Sequence, residues 1–91
     1  MKKKIFKAVE AVTGITKKDI KKGSRNSVTS QARHLCCYFL RKHRYTHQEI
    51  SDTVGNKSHI SSMRAVEKIS YEAENYEDVK ELVQKIKKII K

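Results

Sequence analysis

Residues 46–69 read THQEISDTVGNKSHISSMRAVEKI, and this stretch decides the fold. Thr46 and Glu49 stand in the T-x-x-E spacing of a capping box, which predicts a helix opening near His47. Gly55 comes soon after Ile50 and Val54 and stops that helix early. Ser58 is suited to cap a second helix, predicted to run to about Glu72 with Met63, Val66 and Ile69 inward. Two capped helices joined through a glycine make a helix-turn-helix pair, Glu49 to Ile69. Ile50, Val54, Met63 and Val66 are the residues expected where its helices touch.

Working outward, a longer helix is predicted from about Thr29 to His43. Ala32, Leu35, Cys36, Phe39 and Leu40 recur at helical spacing and form its buried stripe, with Arg33, Arg41 and Lys42 off it. Ser24-Arg25-Asn26-Ser27 before it reads as a polar basic loop. Earlier still, Ile5, Ala8, Val9 and Val12 mark a first helix ended by Gly14. Thr16 and Asp19 open a short second one that Gly23 would close. Lys2-Lys3-Lys4 reads as a frayed basic end. On the other side, Asn75 is expected to cap a last helix, with Glu77 and Asp78 in its first turn. Val79, Leu82, Val83, Ile86, Ile89 and Ile90 give that helix its apolar stripe. No period-2 pattern appears. The expectation is an all-α domain of about six helices over residues 1–91.

The chain carries 21 Lys+Arg against 10 Asp+Glu, a formal charge of +11. The excess is not spread evenly. Residues 1–44 hold 13 basic residues and two acids, whereas residues 45–91 hold eight of each. A surface facing a polyanion has this asymmetry; a charge serving solubility alone does not need it. With a basic loop and a basic helix just before it, the helix-turn-helix pair points to duplex DNA. Lys57, Ser58, His59, Ile60 and Ser61, with Arg64 a turn on, stand at the start of the second helix, the part that enters a major groove.

Other classes fit less well. There is no P-loop or dinucleotide fingerprint, and no run of about 18 apolar residues to span a membrane. The lysines after Met1 are not followed by an apolar signal core, so no secretion signal is expected. Adjacent Cys36 and Cys37 diverge by about 100° on a helix and cannot pair, which fits a reducing cytoplasm. His34, Cys36, Cys37, His43 and His47 lack the spacing of a metal site. Glu49 and Asp52 have no nucleophile to serve, so neither catalysis, a cofactor nor a small-molecule substrate is expected. The last helix is basic and amphipathic, but a small core needs its aliphatics, so membrane binding is not expected either. Tyr38 and Phe39 are read as core residues.

The stretch from Arg33 to Ile69 resembles the C-terminal DNA-binding domain of the bacterial replication initiator DnaA. Asp19-Ile20 looks like that family's D-[LI] before its basic loop. Arg33 to Leu40, RHLCCYFL, follows its R-Q-[IM]-A-M-Y-L pattern. Glu49-Ile50 and the run from Val54 to Ala65, VGNKSHISSMRA, follow its E-I-G and F-G-G-R-D-H-T-T-V-[IL]-H-A signature, and Glu67-Lys68-Ile69 matches its closing [ER]-K-I. The resemblance implies a Trp-repressor-like helical fold that binds duplex DNA as a monomeric module.

It also implies roles for single residues. Arg25 falls where the family has a loop arginine that enters the minor groove, and Arg33 where an arginine opens the basic helix. His59 matches the signature histidine and Ser61 the second threonine. Four positions on the reading surface depart from the pattern: His34 for glutamine, Lys57 for arginine, Ser58 for aspartate and Ile60 for threonine. Serine keeps the cap chemistry but loses a carboxylate that accepts from cytosine, and isoleucine can press only on a thymine methyl. The family's ATPase does not fit into 91 residues, so the expectation is a reader of DNA without a motor, cytoplasmic and nucleoid-associated. The competing expectations are a module that docks on a replication protein, or a DNA binder without sequence preference.

Overall fold

The computed structural model describes residues 1–22, 26–55 and 58–90. Six helices follow in order: α1 (Lys2–Thr13), α2 (Lys17–Lys21), α3 (Ser27–Lys42), α4 (His47–Val54), α5 (His59–Asn75) and α6 (Glu77–Ile90). No strand occurs among the described residues. The all-α, six-helix expectation holds.

Local chemistry sets most of the boundaries. Gly14 ends α1 in the left-handed region (φ 78°), and its N–H donates to Glu10 O at 2.7 Å. Thr16 Oγ1 accepts from the Asp19 N–H, while its hydroxyl reaches the Asp19 carboxylate at 3.0 Å. Gly23, expected to close α2, lies outside the described residues. α3 begins two residues before the predicted start, because Asn26 Oδ1 accepts from the Val28 N–H at 2.9 Å and caps it. Of the expected basic loop, Asn26 is therefore a cap and Ser27 is helical; Ser24 and Arg25 are not among the described residues.

α3 ends without a glycine. The Tyr45 N–H donates to Leu40 O and the Arg44 N–H to Arg41 O, the bond pair of a Schellman motif. Arg44 occupies the left-handed position (φ 68°) that glycine usually takes there.

α3 lies at the centre and packs against α1, α4 and α5, while α6 closes over α1 and α5. Leu35, Cys36 and Leu40 of α3 are fully buried with Ile5 and Val9 of α1, Ile20 of α2, Ile50 of α4, Ile69 of α5 and Ile86 of α6. Phe39 is buried as expected, and Tyr38 packs edge-on against it.

Four expectations need correction. Met63 does not face inward: it is 38% exposed, and the buried line of α5 runs through Ser62, Ala65 and Ile69, with Val66 half-buried. Small residues on that line let α5 approach its neighbours more closely than methionine would. Asn75 does not cap α6. Nothing before it stops α5, which continues through Asn75, whose side chain donates back to Tyr71 O at 2.8 Å. Ile89 is half exposed, because the packed side of α6 follows Val79, Val83, Ile86 and Ile90. Lys2, Lys3 and Lys4 form the first turn of α1 rather than a frayed end, and the Lys2 ammonium sits 5.5 Å over the Tyr45 ring.

Candidate nucleic-acid interface

The helix-turn-helix pair is α4 and α5. Both halves of the predicted capping box are present: Thr46 Oγ1 accepts from the Glu49 N–H, and the Glu49 carboxylate accepts from the Thr46 N–H at 2.9 Å. The Thr46 N–H first, then the Thr46 hydroxyl, hold the Glu49 carboxyl below its ordinary range. Gly55 then turns the chain at φ 80°. A Cβ on Gly55 would lie 3.2 Å from Lys21 O, so the turn rests against the end of α2. The same end of α2 is held from the other side, where Arg33 Nε donates to Ile20 O at 3.2 Å.

Ser58 caps α5, its hydroxyl accepting from the Ile60 N–H at 3.1 Å. Its carbonyl accepts from the Ser51 hydroxyl at 3.0 Å. Ser51 Oγ in turn lies 2.7 Å from Ser62 Oγ, and Ser62 also bonds the Cys37 side chain. Ser51 and Ser62 are essentially sealed from water (1% and 0% exposed). A short buried polar chain thus runs from α3 through α5 and α4 to the first residue before α5. It fixes where the second helix starts. In a buried site such bonds are costly to leave unmade, so the chain defines one arrangement of the two helices.

That arrangement presents His59, Ser61 and Arg64 to solvent, together with Ile60, which is 51% exposed. Met63 stands one turn beyond Ile60 on the same side. This face carries hydrogen-bonding groups and two bare aliphatic side chains on one helix end, dimensions that a major groove about 12 Å wide admits. Arg25 and Lys57, both predicted contacts, lie outside the described residues.

Arg33 and His34 sit apart from this face, on α3, and both are half-buried. Arg33 has a structural task in holding α2. His34 lines a cavity of about 450 Å³ between the start of α3 and the middle of α5, beside Lys68. Burial first, then the positive charges of Lys68 and Arg33, lowers its pKa below 6.5. An anion placed there would reverse that balance. His47, at the start of α4, has its Nδ1 closed off from solvent and without a hydrogen-bond partner among the described residues. Burial, Arg41 and His59 lower its pKa, against a weaker opposite pull from Glu67.

Among the described residues no group of three or more His, Cys, Asp or Glu gathers to hold a metal. Cys36 and Cys37 are free and buried. Burial pushes the Cys37 thiol up to about 12, and raises Cys36 further, so neither is a nucleophile at neutral pH. No helix among the described residues is long and apolar enough to cross a membrane.

Sequence reasoning missed Ser51, Ser62 and Cys37 as the lock of the pair, and Met63 as part of the exposed face. A signal existed: Ser51 stands three residues before Val54, and Ser62 four before Val66 and seven before Ile69, on the helical repeat of those apolar residues.

No curated protein and no solved structure matches the chain. The family model described as the bacterial dnaA protein helix-turn-helix matches residues 2–69. The matched residues run from the start of α1 to Ile69 in α5 and make up well over half of the sequence, so the chain belongs to the bacterial DnaA helix-turn-helix family.

Proposed function

We propose that residues 1–91 act as one duplex-DNA-binding module with a sequence preference and without a motor of their own. The observation that supports this most is the start of α5, where a buried hydrogen-bond lock holds an exposed set of side chains suited to base edges. His59, Ser61 and Arg64 offer hydrogen bonds there, and Ile60 and Met63 offer apolar contact to thymine methyls. Ser58 serves as cap, and Lys57 meets the phosphate backbone beside it. Arg25 enters the minor groove next to the site, where narrow A·T-rich DNA concentrates negative potential. Arg33 and His34 flank the same duplex from α3, Arg33 positioning α2 while His34 and Lys68 meet phosphate.

In this reading, grip and choice are divided. The basic residues of the first half supply salt-dependent affinity; the nearly neutral second half supplies selectivity. Such binding keeps the chain on the nucleoid in the cytoplasm, and no catalytic step is part of it.

Fluorescence anisotropy with selected and scrambled duplexes over a salt series tests the division. Lys2→Ala should weaken both duplexes alike and flatten the salt slope by about one unit. His59→Ala should reduce the ratio between them by about 5–150-fold, the equivalent of a lost base contact of ~1–3 kcal/mol. Equal losses on both duplexes from both variants would sink the division.

A further inference from the structure

A groove of about 540 Å³ opens where the first turn of α1, the last turn of α3 and the end of α6 meet. Its floor is apolar: Tyr38 and Phe39 from α3, Val83 and Ile90 from α6. Lys4, Lys42 and Lys87 stand round it, one from each helix. Phe39 and Ile90 are held in the core at 4% and 8% exposure, so the floor is a fixed surface rather than a set of loose side chains.

None of this belongs to the DNA face. Successive residues advance ~100° round a helix, so Phe39 and Lys42 lie roughly 140–200° from Cys37, the residue through which α3 meets Ser62 of α5. The groove is therefore on the far flank of α3. Its lining also differs in kind from a phosphate site: a nucleic-acid backbone would use the lysines and leave the aromatic and aliphatic floor wet.

We propose that this groove docks an acidic amphipathic segment of a partner protein, whose apolar side chains fill the floor and whose carboxylates meet Lys4, Lys42 and Lys87. The volume lies within the ~300–1,000 Å³ of ordinary ligand clefts, enough for a few large side chains. The lysine rim supplies the charge selection: three cations around an apolar patch favour carboxylates beside aliphatics and repel basic segments. A membrane is the poorer occupant, since the apolar groups lie at the bottom of a concavity that a flat bilayer cannot reach. The groove is independent of the DNA-binding reading, and both can be occupied together.

The test is panning of a random-peptide phage library against the full chain, followed by anisotropy with the enriched peptides. Enriched sequences should combine Asp or Glu with Leu, Ile or Phe. Lys4→Glu with Lys87→Glu should weaken them about tenfold or more, whereas Lys18→Glu with Lys22→Glu, an equal change of charge on exposed sites outside the groove, should have under a third of that effect. Saturation of the protein with duplex DNA should change peptide affinity less than about threefold. The proposal fails if no acidic-apolar peptides are enriched, or if both charge reversals act equally. It fails too if duplex DNA competes with the peptides. Phosphatidylglycerol vesicles that bind through Lys4 and Lys87 while peptides do not would replace it with a lipid site.

Discussion

Removing either hydroxyl of the buried Ser51–Ser62 pair should loosen the helix-turn-helix, because each takes two hydrogen bonds with it. Ser51 donates to Ser58 O at 3.0 Å, so its partner at 2.7 Å, Ser62, is the donor in the second bond. Ser62→Ala takes away that bond and the partner of the Cys37 side chain, but Ser51 keeps its own carbonyl partner. An unmade bond of this kind costs ~1–2 kcal/mol. Ser51→Ala also removes two bonds, those to the Ser58 carbonyl, which keeps the Ser61 N–H at 3.2 Å, and to the Ser62 hydroxyl, which keeps Cys37, and should cost ~1–3 kcal/mol.

The double variant should cost less than the sum, with a coupling of about 1 kcal/mol, because the shared bond is lost only once. Urea unfolding followed by far-ultraviolet circular dichroism measures all three, and ~1 kcal/mol corresponds to about 4–8 °C in Tm for a chain of this size. Ser51→Ala should also reduce DNA affinity under conditions where it remains folded, since the start of α5 loses its tie to α4. Strict additivity, or a Ser62→Ala effect within ~0.5 kcal/mol of zero, would refute the reasoning that this chain of bonds sets the helix pair.

Other outcomes follow from single positions. Gly55→Ala should destabilise by ~1–3 kcal/mol, since alanine is strained at φ 80° and its Cβ would press on Lys21 O; Arg44→Gly, at φ 68° and exposed, should instead stabilise by ~0.5–1 kcal/mol, both read from urea midpoints. Uracil in place of thymine deletes one methyl, so on an enriched duplex it should lower affinity about fourfold where Ile60 or Met63 presses, and Ile60→Ala should abolish that difference in anisotropy. His34 and His47 are both depressed below 6.5, so between that value and their lower folded ones the unfolded chain binds more protons. Stability should therefore fall as pH drops through about 6.5, and His34→Gln should reduce the drop; a midpoint that rises on acidification in this range contradicts the assignment.

What the sequence made legible was what local chemistry decides. The Thr46–Glu49 box, the Ser58 cap and the left-handed glycines at 14 and 55 need only their near neighbours, and each was readable as a pattern. So was the stripe of α3, which is buried from both sides. What was not legible depends on approach between helices. Met63 is more apolar than Ser62, and a pattern of hydrophobicity alone puts it inside. The close packing of α5 on α3 and α4 instead selects the residue whose small side chain fits and whose hydroxyl finds two partners. The end of α5 escaped for a related reason: Asn75 looks like a cap, but where no glycine or proline intervenes a helix runs on until tertiary packing turns it. Arg33 shows the same limit on the functional side. Its type and position suggested DNA, yet its half-buried Nε is spent on the backbone of α2, a contact no spacing rule foretells.

The central claim is that a fixed, partly apolar face at the start of α5 chooses a DNA sequence while the basic first half holds any duplex. Selection from a random duplex pool, with sequencing of the bound fraction, measures this directly. The account predicts an enriched motif whose bases change when His59 or Ile60 is replaced by alanine and stay the same when Lys2 is. A bound fraction as random as the input, with affinity retained, would contradict it.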